Sequence, residues 1–395
     1  MPRTSLIDRA SAACQQRLRA DLDRRLRRID AARGARILID GRALISFASN
    51  DYLGMAQDPR LVAALKSAAD DWGVGATAAH LLGGHRAPHQ ALEEALADWL
   101  GYPRALLFST GTMANLGVLS ALLGRGDLCL QDKLNHASLL DGARLSGAEL
   151  RRYAHADTEV AERLLQAHPD RATLLASDGV FSMDGDLAPL AALAALAARE
   201  QATLMVDDAH GIGVLDWQGR GSVAAAGLGV AEVPILMLTL GKALGSFGAV
   251  VLGSTSLIDS LVQFARPYIY TTALPPALAA ATLCAVRIAR DEDWRRAHLH
   301  ELIQRFRRDA AAIGLNLLPS DTPIQPLLIG ASAEALAWSS ALEQHGLYVP
   351  AVRPPTVPEH AARLRITLSA GHTMADVEAL LCALRQTADA LRPAA

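Results

Sequence analysis

The feature that most constrains this chain is an alternation of short apolar runs with longer amphipathic ones, from about residue 85 to about residue 240. HQALEEALADWL, GTMANLGVLSALL, TEVAERLLQAH and LAPLAALAALAARE carry apolar residues at helical spacing. Between them RALLFST, DLCLQ, TLLAS and TLMVDD are short and largely apolar, as strands covered on both faces are, and AELRRY reads as a further, more polar strand. Strands that alternate with helices pair in parallel through crossovers, and the crossover helices then cover the sheet. The expected fold is therefore α/β, a mostly parallel sheet in a large domain. After the proline-started helix PPALAAATLCAVRIARDEDW the pattern changes to long amphipathic helices with the strand-like QPLLIG and RLRITLS. That change predicts a smaller C-terminal α+β domain. The expected division is a helical arm over 1–45, a large domain over 46–283 and a small domain over 284–395.

At 395 residues, with 51% hydrophobic and 20% charged residues, the chain can fill two or three units around a large core. A net charge of −3 gives no global basic field, so neither nucleic acid nor an anionic membrane surface is an expected partner. The first 45 residues are locally basic, with eleven arginines against five aspartates. Leu18, Leu22, Leu26 and Ile29 recur there at helical spacing, so the segment reads as an amphipathic arm with a solvated basic face. The other reading of that face is an arginine that holds an anionic substrate. Cys14, Cys129, Cys284 and Cys382 form no C-x-x-C pair, which points to a reduced, cytoplasmic setting. MPRTSLIDRASAAC has no apolar signal-peptide core, and no stretch approaches a membrane-spanning length.

Lysine is almost absent. Among 38 cationic residues only Lys66, Lys133 and Lys242 are lysines. Arginine serves as the ordinary surface cation here, and it cannot lose its proton to become an amine nucleophile. Lys66 falls on the polar face of DPRLVAALKSAADDW and Lys133 in the polar turn LQDKLNH. Lys242 sits instead among glycines and apolar residues, in LTLGKALGSFGAV.

Ligands gather at the carboxyl ends of strands in open parallel sheets. The expected strands end at Asp207-Asp208-Ala-His210, at Thr239 three residues before Lys242, at Ser109-Thr110-Gly111-Thr112, at SDGVFSMDGD and at QDKLNHAS with His136. Each has an ordinary reading as a cap, a turn or a satisfied loop residue; their joint presence with a desolvatable lysine is what needs explaining. A P-loop is excluded because Gly241-Lys242 is followed by Ala243 and position 236 is leucine. HGIGVLDWQG has Asp216 where a dinucleotide fingerprint needs its third glycine, and there is no G-x-S-x-G elbow. One economical explanation is pyridoxal phosphate held by Lys242 as a Schiff base. An aspartate would then keep the pyridine nitrogen protonated, so that the ring acts as an electron sink.

SNDYLG (49–54), HQALEEALADWLGY (89–102), NHASLLDGARLS (135–146), DGVFSMDGDLAPL (178–190), VDDAHGIGVLDWQGRG (206–221), TLGKALG (239–245) and RLRITLSAGH (363–372) together resemble the α-oxoamine synthases. These are pyridoxal-phosphate enzymes of the aspartate-aminotransferase fold, fold type I, and the resemblance spans nearly the whole chain. It implies Lys242, His136 and Asp207 as catalytic residues. Lys242 would form the Schiff base and move the α-proton, Asp207 would pair with the pyridine nitrogen, and His136 would stack on the ring. His210 would bond the phenolic oxygen, Ser182 would lie near the ring, and Gly111, Thr112 and Thr239 would hold the phosphate. Arg365 would anchor the amino-acid carboxylate and Asn50 would lie near the site. Thr356 and Arg24 would contact the acyl substrate, with Arg25 and Arg27 as alternatives one helical step away.

VRPPTVP (352–358) and DRRLRR (23–28) resemble the branch that joins L-alanine to a pimeloyl thioester in biotin synthesis, with coenzyme A or acyl carrier protein as the thiol carrier. The alternative is a sister activity such as glycine C-acetyl transfer. The family also implies a homodimer; no metal is expected, because the chain has neither a C-x-x-C pair nor a His-rich metal spacing. Three departures stand out: Thr112 replaces the usual aromatic, Asp178 replaces the usual glutamate, and GATAAH replaces a glycine- and serine-rich loop.

Overall fold

A computed structural model describes residue 3 and residues 5–391. These fall into two compact units: Asn50–Leu299, and the described residues up to Ser49 together with those from His300 onward.

The larger unit is built on a seven-stranded sheet. In chain order its strands are β1 (Arg104–Phe108), β2 (Leu128–Asp132), β3 (Glu149–Tyr153), β4 (Thr173–Asp178), β5 (Thr203–Asp207), β6 (Ile235–Thr239) and β7 (Ala249–Gly253). Their spatial order is β1-β7-β6-β5-β4-β2-β3. Pairing is parallel from β6 through β3, and β7 alone runs antiparallel to its neighbours β1 and β6. The α/β, mostly parallel fold expected from the alternation is the one observed. Every residue of β2 and β7 is buried, which explains why these strands read as continuous apolar runs rather than alternating ones.

Local chemistry sets where the crossover helices begin. Thr110 accepts from Met113 N at 3.1 Å at the start of Gly111–Leu122, and Asp157 accepts from Val160 N at 2.9 Å at the start of Thr158–Gln166. Asp58 caps Pro59–Trp72 in the same way. The parallel strands β2, β4, β5 and β6 end in Asp132, Asp178, Asp207 and Thr239, so one sheet edge collects polar side chains. β1 runs in the same direction, because two antiparallel pairings relate it to β6, and its end delivers Gly111 and Thr112 to that edge.

The units do not follow the three-part division read from the sequence. The N-terminal segment and the C-terminal region form one unit because Leu347–Tyr348 pairs in parallel with Ile45–Ser46. Phe47 stacks on His372 at 4.4 Å, and Arg36 forms a two-point ion pair with Asp376 at 2.6 and 3.1 Å. Helix Pro276–Asp291 packs on the helices Pro59–Trp72 and Ala87–Leu100, which carries the larger unit past residue 283. Within the smaller unit Ile324–Gly330, Ala362–Thr367 and Ala351–Val352 form an antiparallel three-stranded sheet.

The arm also differs from its expected form. Its helix is Leu6–Arg19, with no buried residue, so Leu22, Leu26 and Ile29 lie beyond its end. Asp21 adopts a φ of +55°, in the left-handed region, and stops the helix there. Arg353 then holds the segment by donating to the carbonyls of Asp21 and Asp23. Leucines at helical spacing without a surface to bury them were not enough to continue the helix.

Candidate active site

Gly111, Thr112, His136, Ser182, Asp207, His210, Thr239 and Lys242 all line one cavity of about 190 Å³ in the larger unit. Five separate strand ends supply them. Lys66 and Lys133 are exposed, as their sequence context suggests, whereas Lys242 is half-buried.

Asp207, the last residue of β5, is held in place by two donors. Its Oδ1 accepts from Ala209 N at 3.1 Å and its Oδ2 from Asn115 Nδ2 at 2.8 Å. The same Asn115 nitrogen donates to Ser138 Oγ at 2.9 Å, and Ser138 Oγ lies 2.7 Å from His136 Nδ1. A chain of hydrogen bonds, buried as far as Ser138, therefore ties the Asp207 carboxylate to the His136 ring. The Asn115 amide orientation follows, since its oxygen facing a carboxylate would be repelled.

On the other side Lys242 Nζ lies 2.8 Å from His210 Nε2, and His210 Nδ1 lies 2.6 Å from the Tyr52 hydroxyl. Tyr52 in turn donates to Asn50 Oδ1 at 3.2 Å, which links Asn50 to the lysine through two intermediaries.

Behind these groups Asp208 is buried and accepts from Ser222 N at 2.7 Å and Ser222 Oγ at 2.6 Å. Burial pushes its carboxyl up to about 7. The glycines of DDAHG and GRG are required by it: a Cβ on Gly211 would come within 2.1 Å of Asp208 Oδ1, and one on Gly221, at φ +89°, within 2.0 Å of Oδ2.

Asp178 also lines the cavity, and its Oδ1 accepts from His136 N at 3.2 Å, so the shorter acid still reaches the His136 turn. Burial, and then the Asp207 charge, raise its carboxyl well above the usual range. Thr112 occupies the first turn of its helix and is exposed. In the GATAAH loop Thr77 takes a left-handed φ of +62° and His80 stacks on Tyr268 at 4.9 Å.

Arg24, Thr356 and Arg365 belong to the smaller unit. Arg24 Nη2 donates to Thr356 Oγ1 at 3.1 Å, so the two expected acyl contacts touch each other. Arg25 and Arg27 instead pair with Asp23 and with Glu343. Arg365 is buried on the strand Ala362–Thr367 and donates to Thr367 Oγ1 at 2.9 Å.

Sequence reading missed Asn115, Ser138 and Tyr52. The signal for Asn115 is a polar side chain on the buried face of an otherwise apolar helix; Tyr52 and Ser138 lie inside the motifs SNDYLG and NHAS.

The donor set fits pyridoxal phosphate. It offers an amine, an anchored carboxylate for a protonated ring nitrogen and a histidine for a phenolic oxygen. The first-turn N–H groups of Gly111 and Thr112 have no intrahelical partner and suit a phosphate.

The aminotransferase class I and II family matches residues 42–384. An 8-amino-7-oxononanoate synthase of Xanthomonas campestris pv. campestris (strain B100) is 57% identical over 98% of this chain and 97% of its own length. One from Xanthomonas oryzae pv. oryzae (strain PXO99A) is 56% identical over the same shares. Among solved structures, a serine palmitoyltransferase of S. paucimobilis with a bound PLP–myriocin aldimine superposes with a TM-score of 0.93 at 29% identity, covering 98% of this chain and 99% of that one. An 8-amino-7-oxononanoate synthase from Francisella tularensis superposes with a TM-score of 0.77 at 31% identity, covering 88% and 98%.

Proposed function

The chain belongs to the aminotransferase class I and II family and, within it, to the α-oxoamine synthases, and from that premise we propose the activity of an 8-amino-7-oxononanoate synthase. The substrates are L-alanine and a pimeloyl thioester of coenzyme A or acyl carrier protein, in biotin synthesis. A carbon–carbon bond forms between the alanine Cα and the thioester carbonyl, the carbon–sulfur bond breaks to release the thiol, and the alanine carboxyl leaves as carbon dioxide. The observation that carries this reading is near-full-length identity of 57% to such synthases, combined with a lysine amine and an anchored aspartate in one cavity.

Pyridoxal phosphate, when bound, supplies a ring that takes up the negative charge left at Cα when alanine loses its α-proton. In this reading Lys242 Nζ binds the cofactor, takes that proton and returns it, with His210 beside the amine to orient it. Asp207 keeps a proton at the ring nitrogen, and the Asn115 and Ala209 donors hold its carboxylate in place for that task. His136, Ser182, Gly111, Thr112 and Thr239 line the same cavity, where His136 and Ser182 would meet the ring and Gly111, Thr112 and Thr239 would hold the phosphate. Arg365 binds the alanine carboxylate with Asn50 nearby, and Arg24 and Thr356 meet the acyl chain, whose distal carboxylate favours a cation.

A homodimer belongs to the same proposal. The segments 72–82 and 264–273 expose Val74, Leu82, Phe264 and Tyr270, and Ala273 N donates to Ala78 O at 3.0 Å between them. Among the described residues no helix is long and apolar enough to cross a membrane. The cytoplasmic setting is part of the same proposal and rests on the four scattered cysteines, which the sequence reads as reduced.

An absorption titration of the purified protein tests the reading. L-alanine followed by pimeloyl-coenzyme A is expected to perturb the cofactor band and release free thiol, and Lys242→Ala is expected to lower turnover by about 10³-fold or more. Pimeloyl-acyl carrier protein in a parallel arm identifies the carrier. A response confined to glycine plus acetyl-coenzyme A would move the activity to a sister enzyme.

A further inference from the structure

Beyond the cavity lining, His155 occupies an unusual place. It follows β3, and each of its ring nitrogens meets a different carboxylate. Nδ1 lies 3.1 and 3.2 Å from the two oxygens of Asp132, and Nε2 lies 2.6 Å from Asp186 Oδ2. A neutral imidazole has one N–H, so one nitrogen would turn its lone pair onto a carboxylate oxygen; the cation donates from both. The charge-assisted geometry at Asp186 agrees with the cation. Phe181 stands edge-on to the ring at 4.4 Å and closes one side of it.

The two carboxylates belong to different turns of the site. Asp132 ends β2 and opens the turn to His136, with its Oδ1 accepting from Leu134 N and its Oδ2 from Ala156 N, each at 2.7 Å. Asp186 closes the turn that contains Ser182: Phe181 N donates to Asp186 O at 3.0 Å and Gly185 N to Phe181 O at 2.8 Å. His155 is thus a cross-brace between the turn that carries His136 and the turn that carries Ser182. We propose that His155, as an imidazolium bound by Asp132 and Asp186, is a positioning residue that sets these two turns in register. Only its kinetic consequence rests on the reaction proposed above.

The charged groups acting on His155 are Asp132 and Asp186, and they hold its proton up to about 9 against partial burial; Asp132 itself acts on Tyr153 and Asp178. The folded-state value lies above the ordinary 6.5, so the brace's stabilisation is complete below about 6.5 and is lost as pH rises through about 9.

The test uses the holoenzyme labelled with ¹⁵N-histidine, with His155→Gln to assign the signal. At pH 7.5 both ring nitrogens of His155 are expected to be protonated, and a neutral single-tautomer pattern would overturn the proposal. The melting temperature of the wild type is expected to exceed that of His155→Gln at pH 6.5, with the gap closing above pH 9; a gap that does not change with pH would count against the brace. Turnover in His155→Gln is expected to fall about tenfold with the KM for alanine within about twofold, since sub-ångström misplacement acts on the rate. A wild-type rate would overturn the positioning role. If His155→Gln does not fold, Asp186→Asn carries the test, with a lower pH of His155 proton loss and a smaller fall in turnover expected. A wild type inactive on alanine and pimeloyl thioester would instead refute the reaction, while the spectra and melting curves still decide the brace.

Discussion

The floor of the cavity and the arginine-bearing edge of the smaller unit are built in opposite ways. Asp207 and Asp208 are buried at the end of a central strand, and each accepts at least two hydrogen bonds from fixed donors. Arg24 and Thr356 are exposed and joined by one bond of 3.1 Å. Arg365 stands between these extremes: it shares the smaller unit with Arg24 but is buried on a strand. A charge that must stay in one place through a reaction needs donors that do not move. A charge at an exposed edge is already screened by solvent and needs no such cage of donors.

If that contrast is right, the largest loss among substitutions that preserve shape comes from the floor. Asp207→Asn keeps the volume and removes the charge, and kcat should fall by about 10²–10³-fold, as when a preorganised electrostatic partner is lost. Steady-state kinetics at saturating cofactor, with circular dichroism to verify folding, measures this. A variant within threefold of wild type would remove the floor's special status.

The next effect comes one layer back. Asn115→Ala leaves Asp207 Oδ2 and Ser138 Oγ without their shared donor in a buried setting. An unsatisfied buried polar group costs about 1–3 kcal/mol, so a lower melting temperature and about a tenfold loss in kcat are expected. Asn115→Asp should be worse than alanine, because it sets a second carboxyl against Asp207. Comparing the two variants separates a lost donor from a lost shape.

The floor was also the part most legible in the sequence. Parallel strands buried on both faces read as apolar runs, and polar residues at their ends are conspicuous, so Asp207, Thr239, Gly111 and His136 could be placed before any coordinates. Asn115 was hidden because one polar residue on the otherwise apolar buried face of a helix has no periodicity of its own. His155 was hidden because it and its two carboxylate partners come from three separate strand–turn segments. The unit boundary was illegible for a related reason: the pairing of Ile45–Ser46 with Leu347–Tyr348 joins segments about 300 residues apart, and no local pattern announces it. In the arm, leucine spacing predicted a helix through Ile29, but helical spacing stabilises a helix only where a surface receives it, and Leu26 is fully exposed.

The smallest effect sharpens the comparison from its other side. Arg24 is exposed, water and salt would screen its proposed interaction with a carboxylate, and exposed ion pairs contribute little. Arg24→Ala should therefore raise the KM for the pimeloyl thioester by about threefold to tenfold and leave kcat and the KM for alanine nearly unchanged. The increase should shrink as ionic strength rises, because the wild type loses the same attraction to screening. Arg25→Ala, whose side chain pairs with Asp23, serves as the neighbouring control and should change neither constant. A loss of kcat in Arg24→Ala as deep as that of Asp207→Asn would mean that the exposed edge acts on the chemistry itself. An equal KM effect in both arginine variants would mean that the arm's net charge, and no single guanidinium, reads the acyl chain.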